Sequence, residues 1–411
     1  MLNTRLHASA LAVCAALLAG CSAGTTDSSS DDDGHEHAHV AENRSASPRL
    51  VVAYDGGVRV LDGETLAQVA DLPRDGFLRL NDAGDSRHVF VTTEDGFALL
   101  DAGTWHEAHG DHRHYRTAPP RFTDTTFDGS EPGHAVAHDG RVTLFFDGTG
   151  EVKTVEQSDL GDAQMSSTDY RSPHAHHGVA VTRADGSLVI SRGDDDARTG
   201  IAILGPDRRE RATSTNCPGV HGEASAAGGV LTFGCEDGVV VVREDTIRKV
   251  TAPDAYGRIG NQRGSEQSTV ILGDYKTRAN LPDDEIERPT RFSLIDTETG
   301  DLRLVDLPAG YSFRSLARGP NGEAIVLGTD GFLYVFDAST AQLVAKHQVL
   351  APWREPIDWQ EPMASVVVLG DLAYVNDPAQ STIRAVDLAT GQTRATADLG
   401  VAAAEMVPVS G

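Results

Sequence analysis

Residues 315–344, SLARGPNGEAIVLGTDGFLYVFDASTAQLV, decide the fold class. Apolar residues alternate with polar ones, an Asn-Gly pair follows, and an Asp-Gly pair then separates two apolar runs before a last short run. Asn-Gly and Asp-Gly supply the positive φ angles that two-residue hairpin turns need, and the alternation is typical of strands with one buried face. The stretch therefore predicts four antiparallel strands joined by tight turns.

Units of the same kind recur through the chain, for example at residues 51–69, 90–104 and 135–155. Helical periodicity is nearly absent, so the sequence predicts an all-β protein. Four-stranded units of about 40–50 residues are typical of β-propeller blades. The units begin near residues 78, 134, 177, 221, 268, 313 and 364.

The two ends of the repeat array complement each other. Residues 49–71 hold only three predicted strands, and residues 402–409 near the C-terminus could supply the fourth. Pairing of the terminal strands would close the ring and leave no long unpaired sheet edge. We therefore expect residues 49–411 to form one propeller of eight four-stranded blades, with seven as the alternative.

The first residues indicate export from the cytoplasm. Arg5 precedes an apolar run over residues 8–18 that is too short to span a bilayer of about 30 Å, which is typical of a secretory signal. Cys21 directly follows Leu-Ala-Gly and resembles the lipobox of bacterial lipoproteins. We expect residues 1–20 to be a signal peptide and Cys21 to carry a lipid that holds the protein on the outer side of the cell membrane.

Residues 21–48 are polar and acidic, and they are expected to form a flexible tether because they cannot bury enough apolar surface to fold. His35, His37 and His39 alternate within this tether. Histidines in such a segment bind divalent metals loosely, so they could act as a mobile capture arm. The formal net charge of −26 argues against nucleic-acid binding and favours attraction of cations.

Cys217 and Cys235 form an even pair once Cys21 is lipidated. Paired cysteines in an oxidising compartment predict a disulfide. The alternative is that both act as zinc thiolates, which their spacing permits.

The histidines are unevenly distributed, since His347 alone of the 16 lies beyond His221. His134, His177 and His221 open successive units, each about one repeat apart. If each begins the innermost strand of its blade, the three imidazoles should converge at one mouth of the central channel, and Glu223 could add an oxygen ligand or orient a ring. Three imidazoles nearly define a zinc site. The alternative is a repeated turn-capping position without metal.

A second group lies in WHEAHGDHRHYR, residues 105–116, which we expect to join two blades over one end of the ring. His112 and His114 should point to one side of an extended stretch, and His109 lies close by. A third group places His176 directly before His177. The alternative for each group is a solvated polar loop.

Five further motifs stand out in the chain: HGDHRHY (109–115), HAVAHDGRVTLFFDGTG (134–150), HHGVAV (176–181), NCPGVHGEA (216–224) and FGCEDGVVV (233–241). Together they resemble the zinc metallochaperones of the AztD family. The resemblance implies a propeller that passes zinc to the solute-binding protein of a zinc ABC transporter, with His35, His37 and His39 corresponding to a mobile N-terminal segment. The lipobox implies a membrane tether, which differs from a free periplasmic protein. The implied ligand pool is His109, His112, His114, His134, His176, His177, His221 and Glu223.

Two other classes of function compete with a zinc chaperone. A metalloenzyme could use the same histidines, because three imidazoles with an open fourth position also activate water, and copper(II) or nickel would accept them as well. The sequence contains only four methionines and three tryptophans, and it lacks a Gly-x-Ser-x-Gly elbow or a P-loop. A plain interaction propeller would leave the histidine distribution unexplained. We therefore expect a monomeric zinc carrier without enzymatic activity.

Overall fold

The computed structural model describes residues 40–162, 165–282 and 284–411. The predicted signal peptide, the lipidation site Cys21 and the tether histidines His35, His37 and His39 lie outside these residues. Within the described part of the chain, no helix has both the length and the apolar character needed to cross a membrane.

The described residues are organised almost wholly as strands. The strands in chain order are β1 (Ala41–Asn43), β2 (Arg49–Tyr54), β3 (Gly57–Asp62), β4 (Gln68–Pro73), β5 (Arg79–Asp82), β6 (His88–Thr93), β7 (Gly96–Asp101), β8 (Thr104–His109), β9 (His112–Thr117), β10 (Arg121–Asp128), β11 (Pro132–His138), β12 (Arg141–Phe146), β13 (Glu151–Glu156), β14 (Thr168–Arg171), β15 (Ala180–Thr182), β16 (Leu188–Gly193), β17 (Arg198–Leu204), β18 (Glu210–Ser214), β19 (His221–Ala226), β20 (Val230–Cys235), β21 (Asp237–Arg243), β22 (Thr246–Thr251), β23 (Gly257–Arg258), β24 (Gln262–Arg263), β25 (Val270–Gly273), β26 (Arg291–Asp296), β27 (Leu302–Asp306), β28 (Leu316–Arg318), β29 (Ala324–Leu327), β30 (Phe332–Asp337), β31 (Gln342–Gln348), β32 (Ser365–Leu369), β33 (Leu372–Asp377), β34 (Thr382–Asp387), β35 (Thr393–Asp398) and β36 (Ala403–Val409). Three short 3-10 helices cover Gln157–Asp159, Ala227–Gly229 and Phe313–Ser315.

The described strands form eight antiparallel blades, which agrees with the larger of the two predicted blade numbers. β36 pairs with β2, with Arg49 opposite Val409, so the ring is closed by the two ends of the chain as predicted. The short strand β23 adds one parallel contact to the fifth blade. Blades 1 to 8, each given from its innermost strand outward, are β36-β2-β3-β4, β5-β6-β7-β10, β11-β12-β13-β14, β15-β16-β17-β18, β19-β20-β21-β22, β24-β25-β26-β27, β28-β29-β30-β31 and β32-β33-β34-β35.

The core of the propeller lies between the blades. Eight apolar clusters fill the spaces between adjacent blades, as where Val51 and Val58 of blade 1 pack against Val89 and Val91 of blade 2. Such burial stabilises a fold by about 25 cal/mol per Å² of apolar surface removed from water. Innermost strands of neighbouring blades also contact one another, for example β36 with β5 and β5 with β11. The first strand of each blade therefore lies nearest the central axis.

A hairpin interrupts blade 2. Strands β8 and β9 leave the blade after β7 and return to its outermost strand β10, so the segment 105–116 is an insertion within one blade and does not join two blades as predicted. Strand β1 pairs with β9 and completes a separate three-stranded sheet. Ala41–Asn43 belong to the stretch that the sequence assigned to the tether, so the paired part of the chain begins earlier than expected.

A disulfide joins Cys217 to Cys235, as predicted, and excludes their use as a pair of thiolate ligands. Both cysteines are buried. Cys235 follows Gly234, the residue of β20 that pairs with His221. The disulfide therefore fixes the chain beside the first residue of the innermost strand of blade 5.

Candidate metal centre

The structure brings three histidines from consecutive blades together. His134 lies on β11, His221 begins β19, and His177 lies three residues before β15. One nitrogen of each ring lies within 4.8 Å of the others. The ring centroids are separated by 5.2 Å for His134 and His177, 5.8 Å for His134 and His221, and 5.1 Å for His177 and His221. We call this set the three-histidine group.

The Nδ1 atom of every ring in this group faces an oxygen acceptor. Nδ1 of His134 lies 2.9 Å from the carbonyl oxygen of Gly178, and Nδ1 of His221 lies 2.8 Å from that of Gly260. Nδ1 of His177 lies 2.6 Å from a carboxylate oxygen of Asp147. Since a carbonyl oxygen only accepts, the protons of His134 and His221 sit on Nδ1 and leave Nε2 free. Metal-binding histidines are commonly oriented in this way.

Asp147 ties two blades together at the group. It follows the last residue of β12 in blade 3, and its other carboxylate oxygen accepts the backbone N–H of Gly178 at 3.1 Å. The carbonyl of the same Gly178 accepts the proton of His134. The hydrogen bonds of Asp147 and Gly178 thus fix the relative positions of His134 and His177. Apolar packing between the blades would define these positions less sharply.

Two of the three rings are neutral at physiological pH. Burial lowers the pKa of His134 to about 3, and the positive charges that His221 and His177 could carry lower it further. Burial also lowers the pKa of His221 to about 3, although the hydrogen bond to Gly260 acts in the opposite direction and raises this pKa. Neutral imidazole is the form that binds a metal, so these rings need not lose a proton first.

His176 takes no part in either histidine group of the structure, although it belongs to the ligand pool inferred from sequence. Its Nδ1 lies 3.0 Å from the carbonyl oxygen of His174, and its Nε2 lies 2.9 Å from the hydroxyl of Ser191. The ring packs on Phe145 and is 5 % exposed. Both nitrogens are therefore used inside the blade, and His176 has a structural position.

Glu223 is likewise absent from both groups. The sequence placed it on the same strand face as His221, two residues on, but a β-bulge shifts the register between the two residues. Gly222 lies at the bulge with a φ of +70°, and a Cβ atom there would come within 2.3 Å of the Gly260 carbonyl oxygen. Burial raises the pKa of Glu223 to about 7, while the nearby Arg263 opposes that rise.

A second cluster lies on the hairpin of blade 2 and contains His109, His112 and His114. Nδ1 of His109 lies 3.4 Å from Nε2 of His112, and the Nε2 atoms of His112 and His114 lie 3.2 Å apart. His109 and His112 are exposed and flank the turn, while His114 is half-buried. We call this set the hairpin group. It offers three imidazoles on a surface that solvent reaches freely.

Glu42 anchors the hairpin group to strand β1. One carboxylate oxygen lies 2.7 Å from Nδ1 of His114, and the other accepts a hydrogen bond from Arg116 at 2.9 Å. The hydrogen bond to His114 and the charge of Arg116 lower the pKa of Glu42. Glu42 thus orients His114 as Asp147 orients His177, and it lies only three residues after the tether histidine His39.

Asp147 and Glu42 were missed by reasoning from sequence. Asp147 lies in an Asp-Gly pair, which indicated only a turn, and Glu42 lies in the stretch expected to be a tether. Each acts on a histidine that is distant in sequence, so no local spacing could reveal the contact.

Comparison with known proteins relates the chain to a zinc chaperone. No family model matches the chain. The zinc chaperone AztD of Citrobacter koseri is 25% identical over 312 residues, which covers 74% of this chain and 69% of the relative. The chain is similar to this zinc chaperone over most of its length. A crystal structure of C. koseri AztD superposes on this chain with a TM-score of 0.79 and 23% identity, covering 89% of this chain and 98% of the other.

Other solved structures share the fold alone with this chain. The structure of apo AztD from C. koseri has a TM-score of 0.77 at 22% identity and covers 89% of this chain and 98% of the other. The dihydro-haem d1 dehydrogenase NirN has a TM-score of 0.51 at 13% identity, covering 86% of this chain and 75% of its own. The propeller itself therefore does not separate carriers from enzymes.

Proposed function

We propose that this chain is an extracytoplasmic zinc chaperone that binds zinc at the three-histidine group and passes it to the solute-binding protein of a zinc ABC transporter. The similarity to a protein named as a zinc chaperone supports a carrier over an enzyme. The observation that carries the proposal is the convergence of His134, His177 and His221 within 4.8 Å.

The chemistry of the group suits zinc as cargo. Zinc binds imidazole nitrogen at about 2.0–2.1 Å and accepts three protein ligands with an open fourth position. The oriented Nδ1 atoms hold the rings in place before the metal arrives, which favours affinity. The open fourth position lets a ligand from another protein bind the ion before it leaves, so the same site can hold zinc and release it.

The hairpin group and the tether extend this proposal. His109, His112 and His114 are accessible, and exposed imidazoles bind zinc more weakly than a pre-formed buried site because side-chain ordering opposes binding. Strand β1 connects the tether directly to this hairpin. We assign His35, His37 and His39 to first capture, the hairpin group to a weak second site, and the three-histidine group to tight binding. His176, through its contact with the hydroxyl of Ser191, then supports the fold around the tight site.

The proposed location rests on the N-terminal sequence and the disulfide. The signal-like residues 1–20 and the lipobox at Cys21 support export and lipidation. The disulfide between Cys217 and Cys235 supports an oxidising compartment. We propose a monomer held on the outer side of the membrane by its lipid alone, where it would meet the solute-binding protein.

A metal-transfer experiment tests the proposed function. The purified protein is exposed to equal zinc, copper(II) and nickel, desalted, and analysed for metal. The zinc-loaded protein is then mixed with the metal-free solute-binding protein or with a chelator of equal affinity. We expect about one tightly held zinc, and faster transfer to the protein than to the chelator. Equal rates, or protein isolated without zinc, would contradict the proposal.

A further inference from the structure

The three-histidine group opens to solvent on the side of His177. Its side chain is 45% exposed, whereas His134 and His221 are half-buried. Two open cavities of about 550 and 510 Å³ adjoin this ring, and both are also lined by Asp194 and Asp195. These cavities therefore offer zinc a path from solvent to His177.

Carboxylates dominate the walls of both cavities. The loop between β16 and β17 contributes Asp194, Asp195 and Asp196, all exposed, and the Asp194 carboxylate accepts the N–H groups of Asp196 and Ala197 at 3.0 and 2.9 Å. These hydrogen bonds fix the turn that presents the acidic side chains. The other charged residues of the walls besides His176 and His177 are Glu131, Asp147, Glu236 and one cation, Arg198.

We propose that the cavities beside the Asp194–Asp196 loop are the access route by which zinc reaches and leaves the three-histidine group. This inference rests on the proposed function and names the path to the same site. Carboxylates hold a hydrated divalent cation only loosely, so the loop concentrates zinc near His177 without competing with the imidazoles. Fields of this kind raise association rates of charged ligands by about 10–1000-fold at low ionic strength.

A charge-matched pair of variants tests the route. The first combines Asp194→Asn, Asp195→Asn and Asp196→Asn, and the amide oxygen introduced at position 194 can still accept the turn hydrogen bonds. The control combines Glu298→Gln, Asp301→Asn and Asp306→Asn, three exposed acidic residues of blade 6. Both variants lose three negative charges, so any difference between their rates of zinc association is caused by the position of those charges.

Stopped-flow mixing of each metal-free protein with Zn²⁺ alone gives the association rate at about 10 mM and 500 mM salt. We expect the loop variant to associate about tenfold more slowly at low salt, with the difference nearly lost at high salt, and the control to match wild type. The loop variant should still bind the same amount of zinc. A wild-type rate and salt dependence in the loop variant would overturn the route while leaving the proposed function intact. Absence of zinc binding in wild type would instead overturn the function.

Discussion

A carboxylate oxygen of Asp147 in blade 3 lies 2.6 Å from Nδ1 of His177 in blade 4, and the other oxygen binds the backbone of blade 4. The contact fixes a metal-binding ring across a boundary between blades. An apolar interface alone would allow such a ring to rotate.

Replacing this carboxylate should weaken zinc binding without unfolding the propeller. We expect Asp147→Asn to lower zinc affinity about 10- to 100-fold, the usual cost of losing a residue that orients a ligand. Asp139→Asn is a matched control, since Asp139 also binds the next blade, through the N–H of Ala184, without touching the three-histidine group. Competition against a chromophoric chelator gives the affinities, and equal values for both variants would contradict the orienting role.

Removing a proposed ligand should have a larger effect. We expect His177→Ala and His221→Ala each to lower zinc affinity about 100-fold or more, because only two imidazoles would remain. His347→Ala is the control, since His347 binds the carbonyl of Leu388 in the outer part of the ring. Circular dichroism should show folded protein in all three. Unchanged zinc content in both ligand variants would favour the turn-capping interpretation.

The convergence of the three histidines could be predicted from the sequence, because the local turn motifs reveal where each blade begins. The period placed His134, His177 and His221 at equivalent positions, and innermost strands of adjacent blades necessarily meet. The sequence could not predict that Gly222 forms a bulge and moves Glu223 away, or that Ser191 engages His176. Both outcomes depend on backbone geometry and on partners distant in sequence.

The disulfide should support the site as well as the fold. It closes a loop over a sequence separation of 18 residues beside His221. We expect the double variant Cys217→Ala/Cys235→Ala to lower the free energy of unfolding by about 3 kcal/mol, the usual effect for a loop of this length, and to weaken zinc binding. Urea unfolding without metal measures the first effect. Unchanged stability would show that the bond does not constrain this blade.

The hairpin group and the tether should be separable by truncation. Deleting residues 22–39 removes His35, His37 and His39 but keeps Glu42, whereas deleting residues 22–46 also removes β1. We expect the shorter deletion to abolish part of the weak zinc binding, and the longer deletion to weaken the hairpin group as well. Calorimetric titration distinguishes these steps. Identical weak binding in all three proteins would exclude a capture arm.

The buried carboxyl of Glu355 should make stability depend on pH away from the metal. Burial raises its pKa to about 7, against the charges of Lys276 and Arg288. The pKa in the folded state lies above the ordinary value of 4.5. The contribution of Glu355 to stability is therefore complete below pH 4.5 and is lost as the pH rises through about 7. We therefore compare the free energy of unfolding of Glu355→Gln with that of wild type. As the pH rises from 5 to 8, this difference should shift in favour of the variant by roughly 1–3 kcal/mol.

Urea unfolding in a chelator measures this difference at both pH values. Glu361→Gln, an exposed neighbour in sequence, is the control and should show no such gain. If the free energies of unfolding of Glu355→Gln and wild type differ by the same amount at pH 5 and at pH 8, a raised pKa at Glu355 is contradicted.

The most direct test of the central claim is a crystal structure of the zinc-loaded protein with anomalous scattering measured on both sides of the zinc absorption edge. We predict one strong zinc peak within about 2.1 Å of the Nε2 atoms of His134, His177 and His221. A full-occupancy zinc bound elsewhere, with those three rings left without metal, would contradict the account.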